Sequence, residues 1–191
     1  MRIFVDMDDI CVNLLDEWLR ILNTYDVPTK TIEDIVDWDM RKAYPTLTSE
    51  QIYGPLRDIT LWKKVQPVEG AYHYLKKLKE DGNEIYVATA SYPFPYYLKN
   101  EYCLLKHFDF LEPKDIICIN NKSLLKGDIL FDDYHENLRK FGGIKVLRNR
   151  PYNKDCDKEC FDFRVDTWEE FYQIIKEINV LMEEPYWIRL K

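Results

Sequence analysis

Two pairs of aspartates carry the chemistry open to this chain. Asp6 and Asp8 follow the apolar run Met1 to Val5, and Asp132 and Asp133 follow a later run, Ile129 to Phe131. If both runs are neighbouring parallel strands, four carboxylates meet at one sheet edge, where they are tolerable only around a cation. Residues two apart on an extended segment face the same way. Asp6 and Asp8 can therefore both look into the crevice outside the strand's carboxyl end, where open parallel sheets bind ligands. Alternation turns Asp9 to the opposite side. Hard oxygen ligands without clustered His or Cys suit Mg2+. One carboxylate so placed can attack phosphorus to give an aspartyl-phosphate, while a second protonates the leaving oxygen and then activates water.

The spacing of these groups resembles a known superfamily. Asp6-Met7-Asp8-Asp9-Ile10 is similar to the DxDx(T/V) signature of haloacid dehalogenase (HAD)-type phosphohydrolases. Within that superfamily three further features resemble the 5'(3')-deoxyribonucleotidases: Ala88-Thr89-Ala90-Ser91 after a strand, Lys122 ten residues before Asp132, and the run Asp128 to Asp133. The resemblance extends from residue 1 to about residue 140. It implies Asp6 as nucleophile and metal ligand, Asp8 as acid/base that also offers its backbone carbonyl to Mg2+, and Asp133 as the second carboxylate on the metal. Asp132 would support those ligands from behind. Thr89 and Ser91 would bind the phosphoryl oxygens, and Lys122 would neutralise them and keep Asp6 ionised. Leu61-Trp62 followed by Pro67 resembles an aromatic pair that faces the base, which assigns base binding to Trp62. The implied substrate is a deoxyribonucleoside monophosphate, of the pyrimidine class. Two alternatives stay open: another small phosphomonoester with the same chemistry, or a catalytically silent protein that binds nucleotide.

Composition narrows the partners. A chain of 191 residues with 46% hydrophobic and 32% charged content can bury a full core. Its net charge of -7 disfavours a surface that coats nucleic acid polymers, so a bound phosphate monoester needs local positive charge from a metal and Lys122. No signal peptide and no apolar stretch of membrane-span length are evident. With five cysteines outside any disulfide framework, this points to the cytoplasm and no membrane partner. Cys156 and Cys160 have a CxxxC spacing, but no nearby His or Cys pair completes a zinc set. His73, His107 and His135 lie outside the motifs and receive no role.

The elements that must position the aspartates read as α/β. Val12 to Tyr25 has leucines at helical spacing, and Thr48 with Gln51 forms a capping-box pattern ahead of a helix over 52–57. Beyond Pro67 the chain alternates: helix 70–79, strand 84–89, helix 96–107, strand 115–119, strand 128–131, helix 135–141, strand 144–147, strand 163–165 and helix 167–181. Such alternation predicts a parallel sheet with right-handed crossovers. The expected architecture is a HAD-like Rossmannoid sheet with helices on both faces and a small helical cap inserted after the first strand. The division is 1–15 and 71–182 for the core, 16–70 for the cap and 183–191 for a C-terminal tail. The aromatics Trp18, Trp38, Tyr53 and Trp62 lie in the cap, where a flat base could stack. The tail, with Tyr186 and Trp187, leaves room for a homodimer.

Overall fold

The computed structural model describes residues 1–25, 28–90 and 103–183. Six strands form one sheet: β1 (Arg2–Val5), β2 (Glu84–Thr89), β3 (Ile116–Cys118), β4 (Ile129–Asp132), β5 (Ile144–Arg148) and β6 (Phe163–Val165). All neighbouring pairs are parallel, in the order β3-β2-β1-β4-β5-β6. This order reverses direction beside β1, because the chain winds outward through β2 and β3 before returning to place β4 on the other side. The loops that leave β1 and β4 therefore diverge and open a crevice at their carboxyl ends.

Both sheet faces are covered, which is why β1 and β4 read as nearly continuous apolar runs. On one face Ile3, Val5, Phe131 and Val146 pack with α5 (Ala71–Glu80) and α7 (Trp168–Glu183). On the other, Phe4, Leu130 and Leu147 pack with Leu138 of α6 (His135–Arg139) and Phe141. Gly70 and Gly82 flank α5 with φ values of 77° and 85°, a region that glycine adopts without a Cβ penalty. The expected helix over 96–107 lies mostly outside the described residues; its described end is a short helical turn, Leu105–His107.

Between β1 and α5 the described chain contributes helices and turns. Leu15, Leu19 and Leu22 line one side of α1 (Leu14–Leu22) and share a small core with Ile35, Met40, Tyr44 and Ile52. Two short helices follow, α2 (Met40–Ala43) and α3 (Ser49–Tyr53), and then α4 (Ile59–Lys64). The Thr48 hydroxyl accepts from the Gln51 amide at 3.2 Å and the Gln51 side chain returns to the Thr48 amide at 2.8 Å, so the capping box starts α3 at Ser49. The helix expected over 52–57 is thus displaced: Pro55 lacks the amide that would continue α3, and Gly54–Arg57 is a 3-10 turn instead.

Phe131 sits at the centre of the larger core. Phe171 stacks on it at 4.2 Å and Trp168 meets its edge at 5.3 Å, while the Trp168 indole donates to the Ile10 carbonyl at 2.8 Å. The last helix therefore braces the loop that follows β1. Phe171→Ala should lower unfolding free energy by about 3–5 kcal/mol through the cavity it leaves, measured as a shift in the urea midpoint at unchanged slope.

Candidate active site

The reversal of strand order brings the two acidic pairs together. Val5 pairs in register with Phe131, so Asp6 and Asp132 leave adjacent strands at one level. Carboxylate oxygens of Asp6, Asp132 and Asp133 all lie within 4.8 Å of one another, and all three residues are buried. Lys122, in the 3-10 turn Lys122–Leu124 after β3, reaches in from the side. Its ammonium, itself only 3% exposed, bridges Asp6 at 2.5 Å and Asp132 at 2.6 Å. Burial alone would depress the lysine pKa, but Asp132 and Asp6 outweigh it and raise it.

Asp132 and Asp133 differ in what surrounds them. Asp132 is saturated: besides Lys122 it accepts from the Tyr134 amide at 2.9 Å and from the Asn137 side-chain amide at 3.0 and 3.2 Å. Asp133 accepts at Oδ2 from the Tyr152 hydroxyl, whereas its Oδ1 is buried without a hydrogen-bond partner. A buried carboxylate oxygen left bare is costly unless something positive meets it.

Asp9 does not turn outward. Its φ of 55° is the one positive value among described non-glycine residues, and its side chain is buried, accepting from the Leu15 amide at 3.1 Å. The chain leaves the extended conformation immediately after Asp8, which cancels the strand alternation. Arg148 and Arg150, at the end of β5, both donate to the Asp9 carbonyl, at 2.5 and 3.0 Å. Burial, with Asp8 nearby, pushes the Asp9 carboxyl up to about 7 against the opposing pull of Arg150, the Leu15 amide and Arg148. Burial raises Asp132 to about 6, with Asp6 adding to it, and raises Asp133 further, with Asp132, Asp6 and Asp9 contributing.

The charge balance tests whether a metal fits. Asp6, Asp132 and Asp133 gather three carboxylates around one ammonium, Lys122, an excess of negative charge that a divalent cation would offset. With the bare Asp133 Oδ1 and an all-oxygen donor set, the residues fit Mg2+. Asp8 contributes no carboxylate to the cluster and instead lines a cavity of about 680 Å3 with Asp9 and Ala90.

That cavity lies between the sheet edge and the helical segment. Its apolar wall includes Leu14, Trp18, Leu56 and Trp62, and its polar side includes Arg41 and Arg57. Trp62 is 1% exposed and its indole donates to the Leu56 carbonyl at 2.8 Å, so its contribution to the wall is apolar. Thr89 is buried at the carboxyl end of β2, next to β1. Ser91 lies outside the described residues, as does the tail from Glu184 onward.

A family described as 5' nucleotidase, deoxy (pyrimidine), cytosolic type C protein matches residues 1–181. The chain belongs to this family. It is 34% identical over 169 residues to the 5'(3')-deoxyribonucleotidase of Bacillus subtilis strain 168, covering 88% of this chain and 94% of the relative. A 5'(3')-deoxyribonucleotidase from Clostridium acetobutylicum is 27% identical over 150 residues, 78% of this chain and 82% of the relative. Among solved structures, a HAD-like protein from Agrobacterium tumefaciens superposes with a TM-score of 0.63 at 11% identity, covering 93% of this chain and 98% of that one. A HAD family hydrolase from Deinococcus radiodurans R1, with bound phosphate and sodium, gives 0.62 at 11% identity, covering 92% and 95%. Family membership makes this chain a phosphoric monoester hydrolase, and the superpositions place its α/β fold among HAD-like proteins.

Several residues of the site escape a motif reading. Arg148 ends β5, and Arg150, Tyr152 and Asn153 follow it where the strand's carboxyl end opens on the same crevice. The rule that points to the ends of β1 and β4 points there as well. Arg41 and Arg57 carry no such signal. Because the folded pKa of Asp9 lies above its unfolded value, the metal-free protein loses stability as pH rises from about 4 to about 7. Asp9→Asn keeps the acceptor for Leu15 and buries no charge. At pH 8 without metal it should be more stable than wild type by on the order of 2–4 kcal/mol, an advantage that shrinks below about pH 7 and is gone near pH 4 in urea titrations.

Proposed function

We propose that the chain is a Mg2+-dependent phosphomonoesterase of the 5'-nucleotidase type. It acts on deoxyribonucleoside monophosphates, pyrimidine ones foremost, through a phospho-aspartate on Asp6. The observation that carries this reading is the convergence of Asp6, Lys122 and Asp133 at the reversal point of the sheet, beside a cavity that Asp8 lines. The family and the 5'(3')-deoxyribonucleotidases it resembles support the substrate class.

Lys122 pairs with the Asp6 carboxylate and fixes where it points. One Asp6 oxygen bonds to phosphorus in line as the bond to the nucleoside oxygen breaks. Asp8 gives its proton to that departing oxygen. A water then attacks the phospho-aspartate, Asp8 takes the water's proton, and the Asp6 carboxylate is restored. Thr89, Ser91 and Lys122 meet the phosphoryl oxygens, whose spread charge needs neutralising more than it needs covalent help. Mg2+ held by Asp6, Asp133 and the Asp8 carbonyl would supply the rest of that neutralisation. Asp132, occupied by Lys122, Tyr134 and Asn137, orients those ligands from behind.

The base would lie against the apolar wall that Trp18 and Trp62 contribute, with the phosphate at the Asp8 end of the cavity. In the cytoplasm buried thiols such as Cys11 and Cys160 stay reduced. Asp6→Asn should lose at least about a thousandfold in turnover, because removing a covalent nucleophile forfeits its share of the barrier, while melting near the wild-type temperature. Phosphate release would be followed with 5' and 3' deoxynucleoside monophosphates and a sugar phosphate, each with and without Mg2+. Near-wild-type activity in Asp6→Asn would remove the covalent route. Preference for the sugar phosphate would remove the substrate assignment.

A further inference from the structure

Side chains that follow β5 tie the ends of β4 and β5 together. Asp133 is 0% exposed and held at two points. Its backbone carbonyl accepts from the Asn153 side-chain amide at 2.7 Å, and the same amide donates to the Arg148 carbonyl at 2.8 Å. Its Oδ2 accepts from the Tyr152 hydroxyl, and its Oδ1 has no hydrogen-bond partner. Tyr152 is fixed in turn. The ring of Trp38, from the helical segment, meets the Tyr152 ring edge-on at 5.4 Å and stacks on Tyr134 at 4.4 Å. Tyr134 directly follows Asp133, and its amide donates to Asp132.

We infer that Tyr152 sets which size of cation this site accepts, by occupying one oxygen of Asp133 so that only the other can reach the ion. The inference rests on the cation reading proposed above and deepens it. Mg2+ demands a near-ideal octahedron of oxygens at about 2.0–2.1 Å, whereas Ca2+ accepts six to eight and readily takes both oxygens of a carboxylate. A carboxylate locked through Oδ2 presents a single donor, the arrangement that suits the smaller ion. In this buried site a rotation that offered both oxygens would leave the Tyr152 hydroxyl without its acceptor, which opposes the rotation. Tyr152 also lines the cavity proposed for the substrate, but toward the cation it is a positioning residue that acts through Asp133, so its effect is read with no substrate present.

The test is direct cation binding to the metal-free full chain by isothermal titration calorimetry, with MgCl2 and CaCl2 in separate runs and no substrate present. Tyr152→Phe keeps the ring against Trp38 and deletes the hydroxyl. Mg2+ affinity should fall about tenfold, as loss of a group that orients a ligand commonly does, while Ca2+ affinity falls less or rises. The ratio of the two dissociation constants should move at least about fivefold toward Ca2+. Trp38 is 47% exposed, so Trp38→Leu leaves the fold intact while loosening Tyr152, and it should shift the ratio the same way by a smaller factor. If Tyr152→Phe does not fold, the Trp38→Leu ratio decides. An unchanged ratio, with both ions weakened alike or neither weakened, overturns the inference. Asp133→Asn separates that failure from failure of the cation reading. If wild type binds neither ion, or Asp133→Asn binds Mg2+ as well as wild type does, the cation reading itself falls and the inference falls with it.

Discussion

Uncompensated negative charge, buried where the sheet reverses direction, is the constraint around which the rest of this molecule is arranged. Lys122 bridges Asp6 and Asp132 in a place almost closed to water, and Asp133 adds a further carboxylate with one bare oxygen. Such clusters cost stability, because each buried ion forfeits several kcal/mol of hydration that pairing only partly returns. A core of apolar residues in their place would hold the sheet together better. In the proposed function the cluster would provide a preformed seat for a cation and an oriented nucleophile, leaving little reorganisation for the reaction to supply.

Holding that charge in place falls to elements distant in the chain. The β5 end contributes Arg148 and Arg150 to the Asp9 carbonyl, and Asn153 and Tyr152 to Asp133. The last helix contributes the Trp168 indole to Ile10. Asp9 shows why such bracing is needed. A left-handed backbone costs a non-glycine residue roughly 1–2 kcal/mol, and the loop keeps it only because two guanidiniums, the Leu15 amide and Trp168 fix both sides of the turn. In return the chain turns away abruptly after Asp8, which leaves Asp8 facing the cavity and Asp6 facing the carboxylates of β4.

The helical segment between β1 and α5 has a different physical character. Leu15, Leu19, Leu22, Ile35, Met40, Tyr44 and Ile52 give it a core of its own, while Leu14, Leu56, Leu61, Trp62 and Val65 join it to the larger core of the sheet. Its contact with the acidic pair passes through Trp38, against Tyr134 and Tyr152. Movement of this segment would therefore be felt first by the residues that flank Asp133. The cavity beneath it joins an apolar wall to an acidic floor, beside which an anionic phosphate would need a cation.

Much of this was legible before any coordinates. Alternating apolar runs and helical periods determined a parallel sheet, because buried strands and amphipathic helices leave local signatures. The acidic pairs directly after two of those runs marked the crevice, since only a strand's end can present two carboxylates together. Local signals also misled. Alternation points Asp9 outward, where a turn held from β5 buries it, and the capping box points to a helix over 52–57, where the observed helix starts at Ser49 and breaks before Pro55. Tyr152 and Asn153 carry no local mark of their partnership with Asp133, twenty residues or so earlier in the chain. The sequence by itself determined which groups exist and which strand ends bear them, because covalent order and side-chain period are local properties. Only the tertiary structure decided that one oxygen of Asp133 is engaged and the other bare, because that depends on where a distant loop comes to rest.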